Sequence, residues 1–220
     1  MEIHLIRHGE SEMNAGLVRR QDIGDHNIKL TPAGWEQARS IGRRLGEETL
    51  RTGLLYTSPY RRTREAMQGM VEGAGIETRG PLAPHIREDP RLREVERGYG
   101  EDLVQEAMRK VHGWFYYGFD GGESPADCFD RTSAFLESLM RRVQLKNPRS
   151  IVIATHGLTI RCFVMRFLYL RVEGFEVLAN PQNCDVVTLG PAAEMQPQFT
   201  SGLWGVHGLR IAPQVGSNAK

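Results

Sequence analysis

The sequence predicts an α/β fold, a three-layer α/β/α sandwich around a mostly parallel central sheet. Short β-rich apolar runs recur at residues 3–6, 53–58 and 150–155, and stretches with helical spacing of apolar residues lie between them. The run at 150–155 is apolar on both faces, the pattern of a strand covered by helices above and below. No internal repeat, linker or composition break divides the 220 residues, so a single domain over 1–220 is expected.

In the first run, Ile3, Leu5 and Ile6 stop abruptly at Arg7-His8-Gly9. A buried strand here delivers a guanidinium and an imidazole to its carboxyl end, where ligands of open α/β sheets bind. Gly9 permits a tight turn with backbone amides close to a ligand. Residues 15–30 are polar and suit a loop beside the site. Thr31 as N-cap and Pro32 at the first helical position start a helix carrying Trp35, Ala38, Ile41 and Leu45 on one face. Residues 53–58 form the second strand, and Ser58-Pro59 repeats the cap-then-proline device, starting a helix over about 59–71. Arg61, Arg62 and Arg64 fall in its first turns, where cations oppose the helix dipole at a cost of about 0.3–1 kcal/mol each. Such a placement suits an arginine reserved for an anion, while Arg61 and Arg64 read as solvated surface residues.

Residues 80–102 are irregular, with Pro81, Pro84, Pro90, Gly98 and Gly100 and room for a short strand near 82–86. Irregular segments of this length in compact domains are commonly functional. A helix is expected over about 103–117, ending in Trp114-Phe115-Tyr116-Tyr117. These rings and Phe119 either pack the domain, the plainer reading, or stack on a substrate. Ser124 and Asp127 form a capping box for a helix to about residue 143, marked by Phe129, Thr132, Phe135, Leu136 and Leu139. His156-Gly157 follows the strand 150–155 directly, then an apolar helix over 158–170 and a last strand over 184–189. The tail from Pro191 is Gly/Pro-rich, with a mobile end expected from about residue 214.

Composition removes several function classes. A balance of 28 basic against 27 acidic residues argues against a nucleic-acid or membrane-surface binder. No apolar run approaches the ~20 residues that cross a bilayer, and no signal peptide is read at the amino terminus. Cys128, Cys162 and Cys184 are scattered and lack a C-x-x-C pair, which favours a reducing compartment and a cytoplasmic location over a disulfide framework. Neither a cysteine-phosphatase loop nor a P-loop is present. His4 and His8 share a strand face without acidic or thiol companions, so no metal and no cofactor is expected. The quaternary state is not legible.

Two strand ends deliver the same dipeptide, in Arg7-His8-Gly9 and Thr155-His156-Gly157. Between them come Ser58-Pro59-Tyr60-Arg61-Arg62 and Leu92-Arg93-Glu94, and Asn14 follows Arg7-His8-Gly9-Glu10-Ser11. In kind and order these motifs resemble the signature of the histidine phosphatases, the phosphoglycerate-mutase-like superfamily. The resemblance spans residues 6–157 and departs from the family at Met13, where a tryptophan is usual, and at Glu96-Arg97-Gly98-Tyr99-Gly100, which bears on the substrate-side wall. Gly121-Gly122-Glu123-Ser124 resembles a stretch before the family's long helix and reads as helix start first, pocket edge second.

The resemblance implies a small phosphorylated substrate, with His8 as nucleophile and Glu94 as general acid and base. It further implies Arg7, Arg62 and His156 around the phosphoryl group, with Asn14 and Gly157 beside them. The physical logic agrees: a phosphoryl group in flight spreads charge over its equatorial oxygens, so catalysis is mostly positioning and electrostatics. At ~4 Å and an effective dielectric of roughly 20, each guanidinium contact is worth about 4 kcal/mol before desolvation. His156 adds a donor if protonated. Hydrolysis of a phosphomonoester is the first expectation, a phosphoglycerate mutase the second, and an inactive phosphate-binding module on the same fold the third.

Overall fold

A computed structural model describes residues 1–98 and 100–211; Tyr99, the side chain of Asp102 and the tail expected to be mobile lie outside the described residues. The first half of the chain contains β1 (Glu2–Arg7), α1 (Arg20–Ile23), α2 (Pro32–Thr52), β2 (Leu54–Thr57), α3 (Arg61–Gly73) and β3 (Ile86–Glu88). Then come α4 (Asp102–His112), α5 (Pro125–Lys146), β4 (Ser150–Thr155), α6 (Gly157–Phe167) and α7 (Val172–Glu176). The chain finishes with β5 (Val186–Pro191), β6 (Phe199–Ser201) and β7 (Trp204–His207).

The strands make one seven-stranded sheet in the order β3-β2-β4-β1-β5-β7-β6. β3, β2, β4 and β1 are parallel, whereas β5 reverses against β1 and β7 and β6 continue antiparallel. The pleat divides the strand side chains between two layers of helix. Ile3, Leu5, Ile151 and Ile153 meet Phe135 and Leu139 of α5 and Ile160 and Phe163 of α6. Ile6, Leu55, Val152 and Ala154 face the other way, toward Ala38 and Ile41 of α2 and Met67 and Met70 of α3.

Register is what sets up the site. β1 lies on β4 with Arg7 opposite Thr155, and β2 lies on the other side of β4 with Thr57 opposite Ala154. The next residues along, His8, His156 and Ser58, therefore leave the sheet side by side. Their amides continue the ladder: His8 N–H donates to Thr155 O at 3.1 Å and Ser58 N–H to Ala154 O at 3.0 Å.

Local signals set some boundaries and not others. Thr31 caps α2 by accepting the Gly34 amide at 3.0 Å, and Ser124 and Asp127 form the expected box on α5. The Ser58-Pro59 device does not repeat this, since α3 begins at Arg61 with Tyr60 in the cap position and no side-chain cap. The Ser58 hydroxyl lies 2.9 Å from His156 Nε2, a tertiary contact that takes it away from the helix start. The helix expected to reach residue 117 stops at His112, because Gly113 turns at φ 90°. The third strand lies at Ile86–Glu88 rather than 82–86, and the helix after His156 ends at Phe167. The last strand expected from 184 starts at Val186, since Cys184 adopts φ 59°. The Gly/Pro-rich stretch read as tail returns to the sheet as the hairpin β6–β7, and the polar loop at 15–30 contains α1 and a 3-10 turn at Asp25–Asn27.

Gly9 has a further role: a Cβ there would meet Gly34 O at 2.4 Å, so glycine allows close approach to the start of α2. Glycines likewise let α2 and α3 touch, with Gly42 against the Met70 backbone and Gly73 against the Arg39 backbone. Gly42→Ala drives a methyl into the Met70 carbonyl and is expected to destabilise the protein by about 1–3 kcal/mol. Urea unfolding would register this as a lowered midpoint; an unchanged midpoint would contradict the packing.

Candidate active site

His8 is almost wholly buried at the end of β1, and its Nδ1 lies 2.8 Å from Gly9 O. A carbonyl only accepts, so Nδ1 carries the proton and Nε2 presents its lone pair. That lone pair receives Arg62 Nε–H at 3.1 Å. Burial, reinforced by the Arg62 charge, holds the His8 pKa well below its ordinary 6.5, although the bond to Gly9 opposes this. The imidazole is neutral, with its outward nitrogen unprotonated.

Arg62 comes from the first turn of α3 and is 2% exposed. Asp25 matches its charge: Arg62 Nη1 donates to Asp25 O at 2.6 Å and Oδ1 at 2.8 Å, and Nη2 donates to Oδ2 at 3.3 Å. Removing one partner of a buried ion pair costs about 3–5 kcal/mol, because the other is left uncompensated. Tyr60 covers one face of the guanidinium at 5.0 Å.

His156 stands edge-on to His8 with ring centroids 5.3 Å apart. It is fully buried and sits behind the cavity rather than in its lining. The Ser58 hydroxyl accepts the Tyr60 amide at 3.3 Å and shares a hydrogen bond with His156 Nε2 at 2.9 Å. His156 Nδ1 is buried with no hydrogen-bond partner among the described residues. The condition on which His156 would add a charged donor is disfavoured here: burial first, then Arg62 and His8, push its pKa well below 6.5. A neutral ring can still donate from Nδ1.

Arg7 donates from Nη1 to Pro181 O at 2.7 Å, while its Nε is buried without a partner. Asn14 turns Oδ1 back onto Ser11 Oγ at 2.9 Å and also receives Asn183 Nδ2 at 3.2 Å. Its amide nitrogen is thus the group that can donate to an anion. Glu94 hangs from the irregular segment after β3, with Oε1 accepting the Val95 amide at 3.0 Å. That segment is pinned by β4 and α6: Thr155 Oγ1 donates to Leu92 O at 2.7 Å and Thr159 Oγ1 to Arg93 O at 2.8 Å. Arg131 bonds Arg91 O at 2.6 Å, and Glu123 joins Arg93 to Arg131. Glu96 does not line the cavity.

Arg7, His8, Asn14, Arg62, Glu94 and Gly157 line one cavity of about 410 Å³. Its outer wall holds what the sequence did not single out: Asp25, Arg20, Asn180, and two arginines of the divergent segment and α4, Arg97 and Arg109. The aromatic stretch divides by residue. Trp114 and Phe119 line the cavity, whereas Phe115 is buried with Val95, Cys128, Cys162 and Phe175. Arg61 and Arg64 pair on the surface with Glu65 and Glu88, as read from the sequence. Nothing marks Asp25 in the sequence, since it stands alone in a polar loop. Ser58 carried a signal, but a helix cap accounted for it.

Among the described residues no three His, Cys, Asp or Glu stand together to hold a metal ion. His4 instead meets Thr188 Oγ1 at 3.1 Å. No described helix is long and apolar enough to cross a membrane.

Residues 3–199 match the family described as histidine phosphatase superfamily, branch 1. The chain belongs to the histidine phosphatase superfamily. Among its relatives is the phosphoglycerate mutase-like protein AT74 of Arabidopsis thaliana, 39% identical over 205 residues that cover 84% of this chain and 63% of that protein. The broad-range acid phosphatase DET1 of Saccharomyces cerevisiae is 26% identical over 281 residues, covering 85% of this chain and 84% of that one. In fold, this histidine phosphatase chain matches a mycobacterial glucosyl-3-phosphoglycerate phosphatase solved with VO3, at a TM-score of 0.71 and 23% identity over 93% of this chain and 96% of the other.

The two depressed imidazoles fix a pH dependence. In the unfolded chain each takes up a proton near 6.5, while in the native site each stays neutral, so acid favours the unfolded state. Stability is expected to fall as pH drops below about 6.5, and less steeply in His156→Asn, where one such group is gone. Urea unfolding at pH 7.5 and 5.5 measures both slopes; equal slopes would contradict a neutral buried His156.

Proposed function

We propose that this chain is a phosphatase that hydrolyses small phosphomonoesters through a phosphohistidine on His8. The observation that carries the reading is the neutral, buried His8, its unprotonated Nε2 facing Arg62 at 3.1 Å in a cavity that Arg7 and Glu94 also line. In the first step Nε2 attacks phosphorus and the bond to the leaving oxygen breaks, with Glu94 donating the proton that oxygen needs. In the second, water attacks the phosphohistidine, Glu94 takes its proton, the P–N bond breaks and inorganic phosphate leaves. Arg7, Arg62 and Asn14 supply donors to the equatorial oxygens, and His156 backs His8 from behind the cavity. No cofactor is needed. The three free, buried cysteines suit the reducing, cytoplasmic setting this reading assumes.

His8→Ala should abolish turnover of p-nitrophenyl phosphate, and Glu94→Gln should lower kcat by about 10²–10⁴-fold. Quenching in alkaline detergent with a radiolabelled phosphomonoester should trap an acid-labile, alkali-stable label on the wild type and none on His8→Ala. An active His8→Ala would end the proposal.

Phosphoglycerate mutase chemistry is the second reading, in which phospho-His8 meets an acceptor hydroxyl instead of water. The outer wall favours it: Arg109 is nearly buried with Nε unpartnered, stacks 4.2 Å over Trp114, and shares Phe119 with Arg97. Two guanidiniums there suit a second acidic group, such as the carboxylate of 3-phosphoglycerate. We expect phosphate release from 3-phosphoglycerate without isomerisation when 2,3-bisphosphoglycerate is added; formation of 2-phosphoglycerate would favour the mutase.

A further inference from the structure

We infer that Asp25 is a positioning residue for Arg62: its carboxylate occupies the outer edge of the guanidinium, so that the inner edge is presented to the phosphoryl group on His8. The inference rests on the phosphohistidine reading of the site and adds a residue that neither the motifs nor the family likeness singles out.

A guanidinium has two two-pronged edges, one made by Nη1 and Nη2 and the other by Nε and Nη2. In Arg62 the first edge is spent. Nη1 gives its hydrogens to Asp25 O and Oδ1, and Nη2 gives one to Oδ2. The second edge faces His8, with Nε–H on Nε2 at 3.1 Å and the remaining Nη2 hydrogen on the same side. When phosphorus is bonded to Nε2, that lone pair is no longer available to Nε–H. The Nε and Nη2 hydrogens then form a planar fork aimed where phosphoryl oxygens project.

Without the Asp25 carboxylate, only His8 Nε2 and the backbone carbonyl of residue 25 hold this edge inward. The alternative is an Arg62 that turns its two-pronged end into the cavity and withdraws Nε from His8. Tyr60 at 5.0 Å limits tilting of the guanidinium plane but not rotation within it. Among the described residues, no other carboxylate bonds to Arg62. The backbone carbonyl of Asp25 adds the shortest of these contacts, so the turn Asp25–Asn27 is itself tied to the arginine.

The sign of the effect separates positioning from simple electrostatics. Asp25 lines the cavity and carries the same charge as a phosphate. If charge alone mattered, removing it would tighten anion binding. If it positions Arg62, removing it weakens binding and lowers kcat.

Wild type, Asp25→Asn, Arg62→Lys and the double variant are to be compared by calorimetric titration with vanadate and by kcat and KM on p-nitrophenyl phosphate. Asp25→Asn should weaken vanadate binding about tenfold or more and lower kcat more than it raises KM. In the Arg62→Lys background the same substitution should change either quantity by less than about twofold, because the side-chain fork it orients is gone. Asp25→Glu, which keeps the charge but moves it, should show the same dependence on Arg62 and serves if Asp25→Asn does not fold. Equal losses in both backgrounds, or tighter vanadate binding by Asp25→Asn, would overturn the inference. Vanadate binding needs no turnover. A chain that binds vanadate with this dependence yet hydrolyses no phosphomonoester would overturn the proposed function and leave the role of Asp25 standing.

Discussion

Burying a guanidinium beside two imidazoles is the constraint to which the rest of this structure answers. An arginine cannot shed its proton at any ordinary pH, so a buried one must be given an anion. The imidazoles can shed theirs, and in this site they do: desolvation and the Arg62 charge both act against protonation of His8 and His156. The outcome is one fixed cation and two neutral imidazoles within hydrogen-bonding or edge contact of one another. Asp25 satisfies Arg62, while Arg7 Nε and His156 Nδ1 are buried without partners among the described residues.

The sheet holds this cluster without strain. Parallel pairing of β1 and β2 on either side of β4 brings three carboxyl ends to one level, so His8, His156 and Ser58 are neighbours by register. α3 and α6 start where β2 and β4 stop, which places Arg62 and Gly157 in first turns facing the same space. Glu94 is the exception, carried on irregular backbone. Its place depends on the hydroxyls of Thr155 and Thr159 and on Arg131, which tie residues 91–93 to the layer formed by β4, α5 and α6. Rigid elements thus hold Arg7, His8, Arg62 and His156, and hydrogen bonds to backbone carbonyls hold the segment that carries Glu94.

How much of this was legible in the chain varied with the range of the interaction. Ser124-Pro125 and Ser58-Pro59 are the same dipeptide. The first caps a helix through its own turn, and the second does not because His156, 98 residues away, engages the serine. Arg61, Arg62 and Arg64 are alike by composition, yet only Arg62 turns inward, since its helical position faces β1 while the others pair with Glu65 and Glu88. The aromatic stretch gave no way to separate Phe115, which packs against Phe175, from Trp114 and Phe119 in the wall. The β6–β7 hairpin was hidden among glycines and prolines, because its short strands gain their partner only through β5.

By itself the sequence determined the parallel core strands, the capped starts of α2 and α5, and the identity of the motif residues. Each of these is written in contacts between near neighbours or in the period of the apolar residues. The tertiary structure alone decided which arginine meets His8, which nitrogen of His8 faces Arg62, and that Asp25 closes the set. Those outcomes depend on burial and on partners remote in the chain. Desolvation and hydrogen-bond direction are properties of the folded surroundings, and no local pattern of residues encodes them.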